Sequence, residues 1–333
     1  VRLNDIVIVG ASGLVGRKIL QVLHERNFPL GKVITVASPA SEGKEINVNR
    51  HSYKLQKLSP EIFKSMEFAF FSAGGAVSKE WAPVAAKEGV LVIDNSSTFR
   101  MEEDVPLVVP EVNRQDIFRH KGIIANPNCS TIQLVMVLKP LDNLFKIKRI
   151  VVSTYQSVTG IGKKGLDALD KEIRDSEAAV NKDVFPHKIA YNAIPQVDVF
   201  FDDGYTKEEW KMMNEARKIL GRKDMKITAT CVRIPTIGGH GESVNIEFDK
   251  KVNPSEIRDI LGSTRGIKVV DDVKSSSYPM PVHSNEKDDV YVGRIRMDES
   301  SKNTINLWIV ADNVRKGAAT NAVQIAEEYI KGK

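Results

Sequence analysis

Only two cysteines, Cys129 and Cys231, occur in the 333 residues. Two thiols form neither a disulfide framework nor a metal-ligating spacing, so no metal is expected. They fit a reducing compartment, and a cytoplasmic location is expected. No basic start followed by an apolar segment marks a secretory signal. No uninterrupted apolar run reaches the length that spans a bilayer, so no membrane partner is expected. Long basic blocks are missing too. The net charge is +5, with Lys and Arg interspersed among Asp and Glu, and aromatic residues do not interleave with basic ones. That pattern argues against nucleic acid and is compatible with small anionic ligands.

What is present reads as a two-domain globular chain, 42% hydrophobic and 27% charged. It opens strand, glycine turn, helix. Residues 5–9, Asp5 and then four apolar residues, form a short strand, Gly10-Ala11-Ser12-Gly13-Leu14-Val15-Gly16 follows, and residues 17–26 carry Ile19, Leu20 and Leu23 on one side. Gly10 allows the tight turn, Gly13 lets the backbone approach a pyrophosphate, and Gly16 permits close helix–strand packing. The spacing is GxxGxxG instead of GxGxxG, so a tight turn without ligand is the competing reading. The second strand, residues 32–37, ends at Ser38-Pro39-Ala40-Ser41-Glu42-Gly43-Lys44. A binder of NAD usually places a carboxylate there for the ribose hydroxyls. Here Ser38 and Ser41 can hydrogen-bond a 2′-phosphate and Lys44 can neutralise it, which favours NADP, while Glu42 argues for NAD. Residues 45–58 alternate polar and apolar and predict a small hairpin. The strand 68–71 ends at Ser72-Ala73-Gly74-Gly75, small residues that suit close contact with a dinucleotide. Residues 78–87 predict a helix interrupted by Pro83. The strand 90–93 runs into a polar stretch ending at Arg100, whose guanidinium suits a phosphate, with an exposed salt bridge as the alternative.

The chain is organised around Asn126-Pro127-Asn128-Cys129-Ser130-Thr131, between a strand-like run and a long apolar one. Unpaired N–H groups at a helix start favour a thiolate and can stabilise an oxyanion. A small buried hydrophobe is the competing reading for any free cysteine, and it is the one adopted for Cys231 in the strand 226–235. The strand 147–155 ends at Gln156-Ser157-Val158-Thr159-Gly160-Ile161-Gly162. Gln156 can donate to a carbonyl or oxyanion. Helices are predicted over 165–179 and 206–220, and in the second Glu208 and Lys211 share a face as a surface ion pair. Arg233 precedes Thr236-Ile237-Gly238-Gly239-His240-Gly241-Glu242, where His240 is placed in a loop and not in the core. Strands at 243–248, 267–270, 290–295 and 304–310 predict a mixed or antiparallel sheet with one face free for a subunit interface. A helix over 313–331 closes the chain.

The glycine turn, Asn95-Ser96-Ser97-Thr98-Phe99-Arg100, the Cys129 stretch, Tyr155 to Gly160, Arg233-Ile234-Pro235, Gly239-His240 and residues 311–319 together resemble the aspartate-β-semialdehyde dehydrogenase family, from end to end. The resemblance implies a glyceraldehyde-3-phosphate dehydrogenase-like α/β fold. A Rossmann-type nucleotide-binding domain covers residues 1–128 and is completed by a C-terminal helix over 313–333. An α+β catalytic and dimerisation domain with a mixed, largely antiparallel sheet covers 129–312. It implies NADPH-dependent reductive dephosphorylation of L-4-aspartyl phosphate to L-aspartate 4-semialdehyde and phosphate, at the branch to lysine, threonine, methionine and isoleucine, in a homodimer or homotetramer. On the matched positions Cys129 is the nucleophile, His240 the acid/base, and Gln156 orients the acyl intermediate. Arg233 and Glu208 contact the amino-acid end of the substrate, and Arg100, Lys211 and Asn128 serve substrate and phosphate. Gly10, Ser12, Gly13, Leu14, Val15, Ser38, Ser41, Ser72, Ala73, Gly74, Ser157, Gly160, Gly162 and Asn313 are implied as cofactor contacts. Ala40 stands where the family often has arginine, which leaves NAD open as a second cofactor. N-acetyl-γ-glutamyl-phosphate reductase, a catalytically inactive homologue, and a glyceraldehyde-3-phosphate-type enzyme are the rival readings.

Overall fold

A computed structural model describes residues 2–332. The chain divides into two compact units, one running to Asn128 and resuming at Ala318, the other Cys129–Gly317.

The first unit is a seven-stranded sheet in the order β3-β4-β2-β1-β5-β6-β7. Its strands are β1 (Asn4–Val9), β2 (Leu30–Val36), β3 (Glu45–Val48), β4 (His51–Gln56), β5 (Phe68–Phe71), β6 (Leu91–Asp94) and β7 (Ile123–Ala125). All pair in parallel except the β3–β4 hairpin. The central strand β5 is apolar throughout, and β1 is apolar from Ile6 to Val9, because both faces are covered. Ile6 and Ile8 of β1 join one core and Val7 and Val9 the other, as the two-residue period of a strand requires. The helices are α1 (Leu14–Glu25), α2 (Gly75–Lys87), which continues through Pro83 where the sequence predicted an interruption, and the short α3 (Pro110–Asn113).

The second unit begins with α4 (Cys129–Phe145) and continues with α5 (Lys163–Arg174), α6 (Lys207–Leu220), α7 (Pro254–Ser263) and the short α8 (Pro281–Ser284). Its sheet has six strands in the order β11-β12-β13-β10-β8-β9. They are β8 (Ile147–Gln156), β9 (Lys226–Arg233), β10 (His240–Phe248), β11 (Ile267–Val269), β12 (Val290–Met297) and β13 (Thr304–Ala311). The outer pairs β8–β9 and β11–β12 are parallel and the inner ones antiparallel, a mixed sheet as expected. The last helix, α9 (Thr320–Gly332), belongs to the first unit and buries Ala322, Val323, Ile325 and Ala326 in the core containing Ile6 and Ile8.

Three further sequence expectations change. The closing helix does not start at residue 313. Asp312 Oδ1 accepts from the N–H groups of Val314 and Arg315 at 2.8 and 3.0 Å, and a π-turn (Arg315–Ala319) precedes α9, so Asn313 stays with the second unit. The fifth helix stops at Arg174 because Asp175 leaves the helical region and its carboxylate takes the N–H of Glu177. His240 begins a strand instead of lying in a loop, because the turn is completed earlier, by Gly238 and Gly239 at φ +73° and +72°. Among the described residues no helix is long and apolar enough to cross a membrane, and no cluster of His, Cys, Asp or Glu could hold a metal ion.

Candidate active site

Strand register builds the site in the second unit. His240 on β10 lies opposite Gln156 on β8, and Gln156 lies opposite Arg233 on β9. Directly opposed residues point to the same face of a sheet, so three residues far apart in sequence form one row. All three are buried. Cys129 opens α4 and is half-buried, so its thiol is neither sealed in the core nor fully exposed. Its neighbour Ser130 accepts from Gln156 Nε2 at 2.5 Å, tying the row to the helix start. A side chain on Gly317 would come within 2.9 Å of the Cys129 β-carbon, so the bare glycine is what lets the π-turn pass the thiol residue.

The electrostatics follow from burial. Gln156 Nε2 also donates to Glu208 Oε1 at 3.1 Å, and Lys211 Nζ holds Glu208 Oε2 at 3.1 Å and Asp198 at 2.9 Å. The Glu208–Lys211 pair is therefore not the exposed ion pair that its spacing suggested: the side chains are 8% and 14% accessible. Tertiary cover of α6 supplies the burial, which helical spacing alone does not encode. The carboxamide NH2 of Gln156 is committed to Ser130 and Glu208, and its Oε1 is the buried atom left without a partner among the described residues. Burial lowers the pKa of Arg233, with the charges of Glu208 and Cys129 pulling it back up. The guanidinium donates to the Ser157 carbonyl at 2.7 Å, and a β-carbon at Gly160 would stand 2.7 Å from it. Gly160 thus makes room for Arg233.

Burial and then the Arg233 charge push the His240 pKa down to about 3, so the ring is neutral. Its Nδ1 accepts the Ser157 N–H at 3.1 Å, which places the ring proton on Nε2, a buried atom with no protein partner among the described residues. The resting histidine is thereby a donor. Ser157 braces the same corner through its hydroxyl, bound by the Gly238 N–H and donated to the Thr236 carbonyl. Thr159 Oγ1 donates to Asn313 Oδ1 at 3.0 Å. Ser157 and Asn313, both expected at the cofactor, are thus engaged in holding the second unit's own loops. Gly162 takes φ +77° ahead of α5. Cys231 is fully buried, and desolvation pushes its thiol well above its usual range, as packing and not chemistry demands.

The first unit carries a cavity of about 620 Å³ at the carboxyl ends of its strands. Gly10, Ser12, Gly13, Ser38, Ser72 and Ala73 line it. Gly10 is at φ +92°, and a β-carbon there would strike the Ser72 carbonyl oxygen at 2.4 Å, so only glycine fits. Leu14, Val15, Ser41 and Gly74 lie outside the lining; Leu14 and Val15 begin α1, with Val15 packed on the core, and Gly74 caps α2. The lysine in the wall is Lys57 and not Lys44. The backbone of Lys44 pairs with Leu55, while the Ala37 N–H binds the Gln56 carbonyl at 3.1 Å and brings Lys57 beside Ser38. Leu58, Val77 and Trp81 add an apolar wall. Arg100 is buried, not in an exposed salt bridge: it donates to the carbonyls of Asn126 and Asn95, both at 2.9 Å. Asn128 is buried at the end of this unit.

Comparison with known proteins agrees with this division. The family model described as "Semialdehyde dehydrogenase, NAD binding domain" matches residues 5–120, and "Semialdehyde dehydrogenase, dimerisation domain" matches residues 138–316. The chain is 52% identical over 332 residues to the aspartate-semialdehyde dehydrogenase of Aquifex aeolicus, covering 98% of each chain. It superposes with TM-score 0.96 and 45% identity on aspartate semialdehyde dehydrogenase II of Vibrio cholerae complexed with ASA, covering 99% of both chains. A Candida albicans aspartate semialdehyde dehydrogenase with NADP matches at TM-score 0.77 and 25% identity over 98% of each chain.

Proposed function

The chain belongs to the aspartate-semialdehyde dehydrogenase family, and on that premise we propose that it interconverts L-4-aspartyl phosphate with L-aspartate 4-semialdehyde and phosphate, using NADP(H) and a thioester on Cys129. It is an oxidoreductase of amino-acid biosynthesis. The observation that carries the reading is the row His240–Gln156–Arg233 set against the start of α4.

Each residue has a task that its surroundings allow. The Cys129 thiolate attacks the acyl carbon, a C–S bond forms, and the C–O bond to phosphorus breaks with its electron pair leaving on phosphate. Nicotinamide supplies the hydride when bound. His240 Nε2–H donates to the tetrahedral oxygen and recovers the proton as the C–S bond breaks. Arg233 pairs with the substrate α-carboxylate and Glu208 with its ammonium, a selection against N-acylated substrates that carry no such cation. Gln156 sets Ser130 and Glu208 in place and offers Oε1 to the substrate. Arg100, Lys211 and Asn128 serve the phosphate.

NADP is the favoured cofactor. The Gly10 cradle takes the pyrophosphate, the wall of Leu58, Val77 and Trp81 accepts a flat ring, and Lys57 beside Ser38 supplies the cation for a 2′-phosphate that Ala40 does not. Ser41 lies outside that cavity, and Ser157, Gly160, Gly162 and Asn313 belong to the second unit, so the cofactor reading rests on the cavity lining. A homodimer or larger homo-oligomer built through the dimerisation domain is proposed with it. The test is phosphate-dependent oxidation of L-aspartate 4-semialdehyde, followed with NADP and with NAD. Wild type is expected to turn over faster with NADP, and Cys129→Ala to lose turnover while still binding nucleotide. Activity of that variant under rapid mixing would refute the thioester.

A further inference from the structure

One fully buried ionisable group has no part in this chemistry. Glu242 lies two residues beyond His240 on β10, on the same face, with Thr154 of β8 and Ile309 of β13 opposite. Neither of its carboxylate oxygens has a hydrogen-bond partner of good geometry among the described residues. The adjoining polar group is Gln133, one turn into α4 from Cys129, whose own Oε1 is also buried without a partner. Gln133 Nε2 donates to the backbone carbonyl of His240 at 3.3 Å.

An ionised Glu242 would bury a negative charge with neither oxygen hydrogen-bonded, near a Gln133 Oε1 that is unpartnered too and opposite the neutral Thr154 hydroxyl, a costly arrangement in a low-dielectric interior. One proton resolves it. We propose that Glu242 is a positioning residue kept as a neutral carboxylic acid, its O–H donated to Gln133 Oε1, so that Gln133 Nε2 stays on the His240 carbonyl and fixes the backbone that carries the imidazole. Burial raises the Glu242 pKa well above its usual range and outweighs the Gln133 side chain, which acts to lower it.

The inference rests on His240 being the proton donor, and its test separates the two. Glu242→Gln keeps the volume, the neutrality and an N–H donor for Gln133. It is expected to retain kcat, KM and the pH profile. Glu242→Leu removes the donor and is expected to lower kcat about a hundredfold, the effect of a displaced catalytic group, with KM for the semialdehyde unchanged. The infrared spectrum of the wild type at neutral pH, minus that of Glu242→Gln, is expected to show the C=O stretch of a protonated carboxylic acid. Absence of that band overturns the proposal, whether or not the leucine variant folds. So does a Glu242→Gln enzyme with a shifted pH profile and collapsed kcat, or a Glu242→Leu enzyme with undiminished kcat. Full activity in His240→Asn would instead strike the role of His240, with the carboxyl band still present.

Discussion

A histidine sealed away from water beside a guanidinium resists protonation, and that resistance is felt by the whole protein. The His240 ring has an ordinary pKa of 6.5 in an unfolded chain and about 3 in place. Between those values the unfolded chain binds the extra proton and the native one does not, so stability is full above pH 6.5 and is lost as the pH falls toward 3. Urea unfolding of the wild type is therefore expected to show a falling midpoint between pH 6.5 and 4, and His240→Asn a flatter one. Equal slopes in the two proteins would show that the ring is not held neutral. Cys129, Arg233 and His240 stood out in the sequence because each sits in an unusual local setting: a helix start, a strand end before proline, a run of glycines. Glu242 and Gln133 were not, since a carboxylate in a strand and an amide in a helix look ordinary until burial is known.

Among the elements, the turn after β2 and the end of β4 show how pairing decides function. The loop containing Ser38 was recognisable at the end of an apolar strand. Lys57 was not, because only the parallel β2–β4 pairing carries it to that loop across the intervening hairpin. Lys44, close in sequence, was the natural choice and is directed elsewhere by its own backbone pairing with Leu55. Lys57→Ala is expected to raise KM for NADP about tenfold, the worth of one charge-assisted contact, and to leave KM for NAD nearly unchanged. Equal changes for both cofactors would remove Lys57 from the 2′-phosphate. The helix α6 teaches the complementary lesson. Its Glu208–Lys211 spacing was correct, yet which face of the helix meets protein is a tertiary fact.

For the molecule as a whole, the chain's last helix completes the first unit. Asn321 Nδ2 donates to the Val108 carbonyl at 2.9 Å and to Asn126 Oδ1 at 2.7 Å. Val323 and Ile325 are fully buried and together contribute about 3–6 kcal/mol through burial alone. A chain ending at Gly317 is expected to lose nucleotide binding, seen as loss of the Trp81-dependent fluorescence change on NADP titration. Unaltered affinity would show that α9 is dispensable. The two-unit organisation was readable from the change of strand and helix rhythm after the Cys129 stretch. Its return point was not, because the carboxylate of Asp312 arrests the helix pattern that the sequence continues unbroken.

The row across β9, β8 and β10 has an evolutionary corollary. Sliding any one of these strands by a single position would turn its member of the row to the opposite face, so the three residues proposed for the site are locked to the backbone and admit no gradual drift. The side chains assigned to the amino-acid end of the substrate, by contrast, are shared with a helix whose surface can be rewritten one residue at a time. With Arg233 fixed in the row, descendants of this scaffold can change what they recognise only on the side proposed for the ammonium, at Glu208 of α6, while inheriting the rest of the row unchanged.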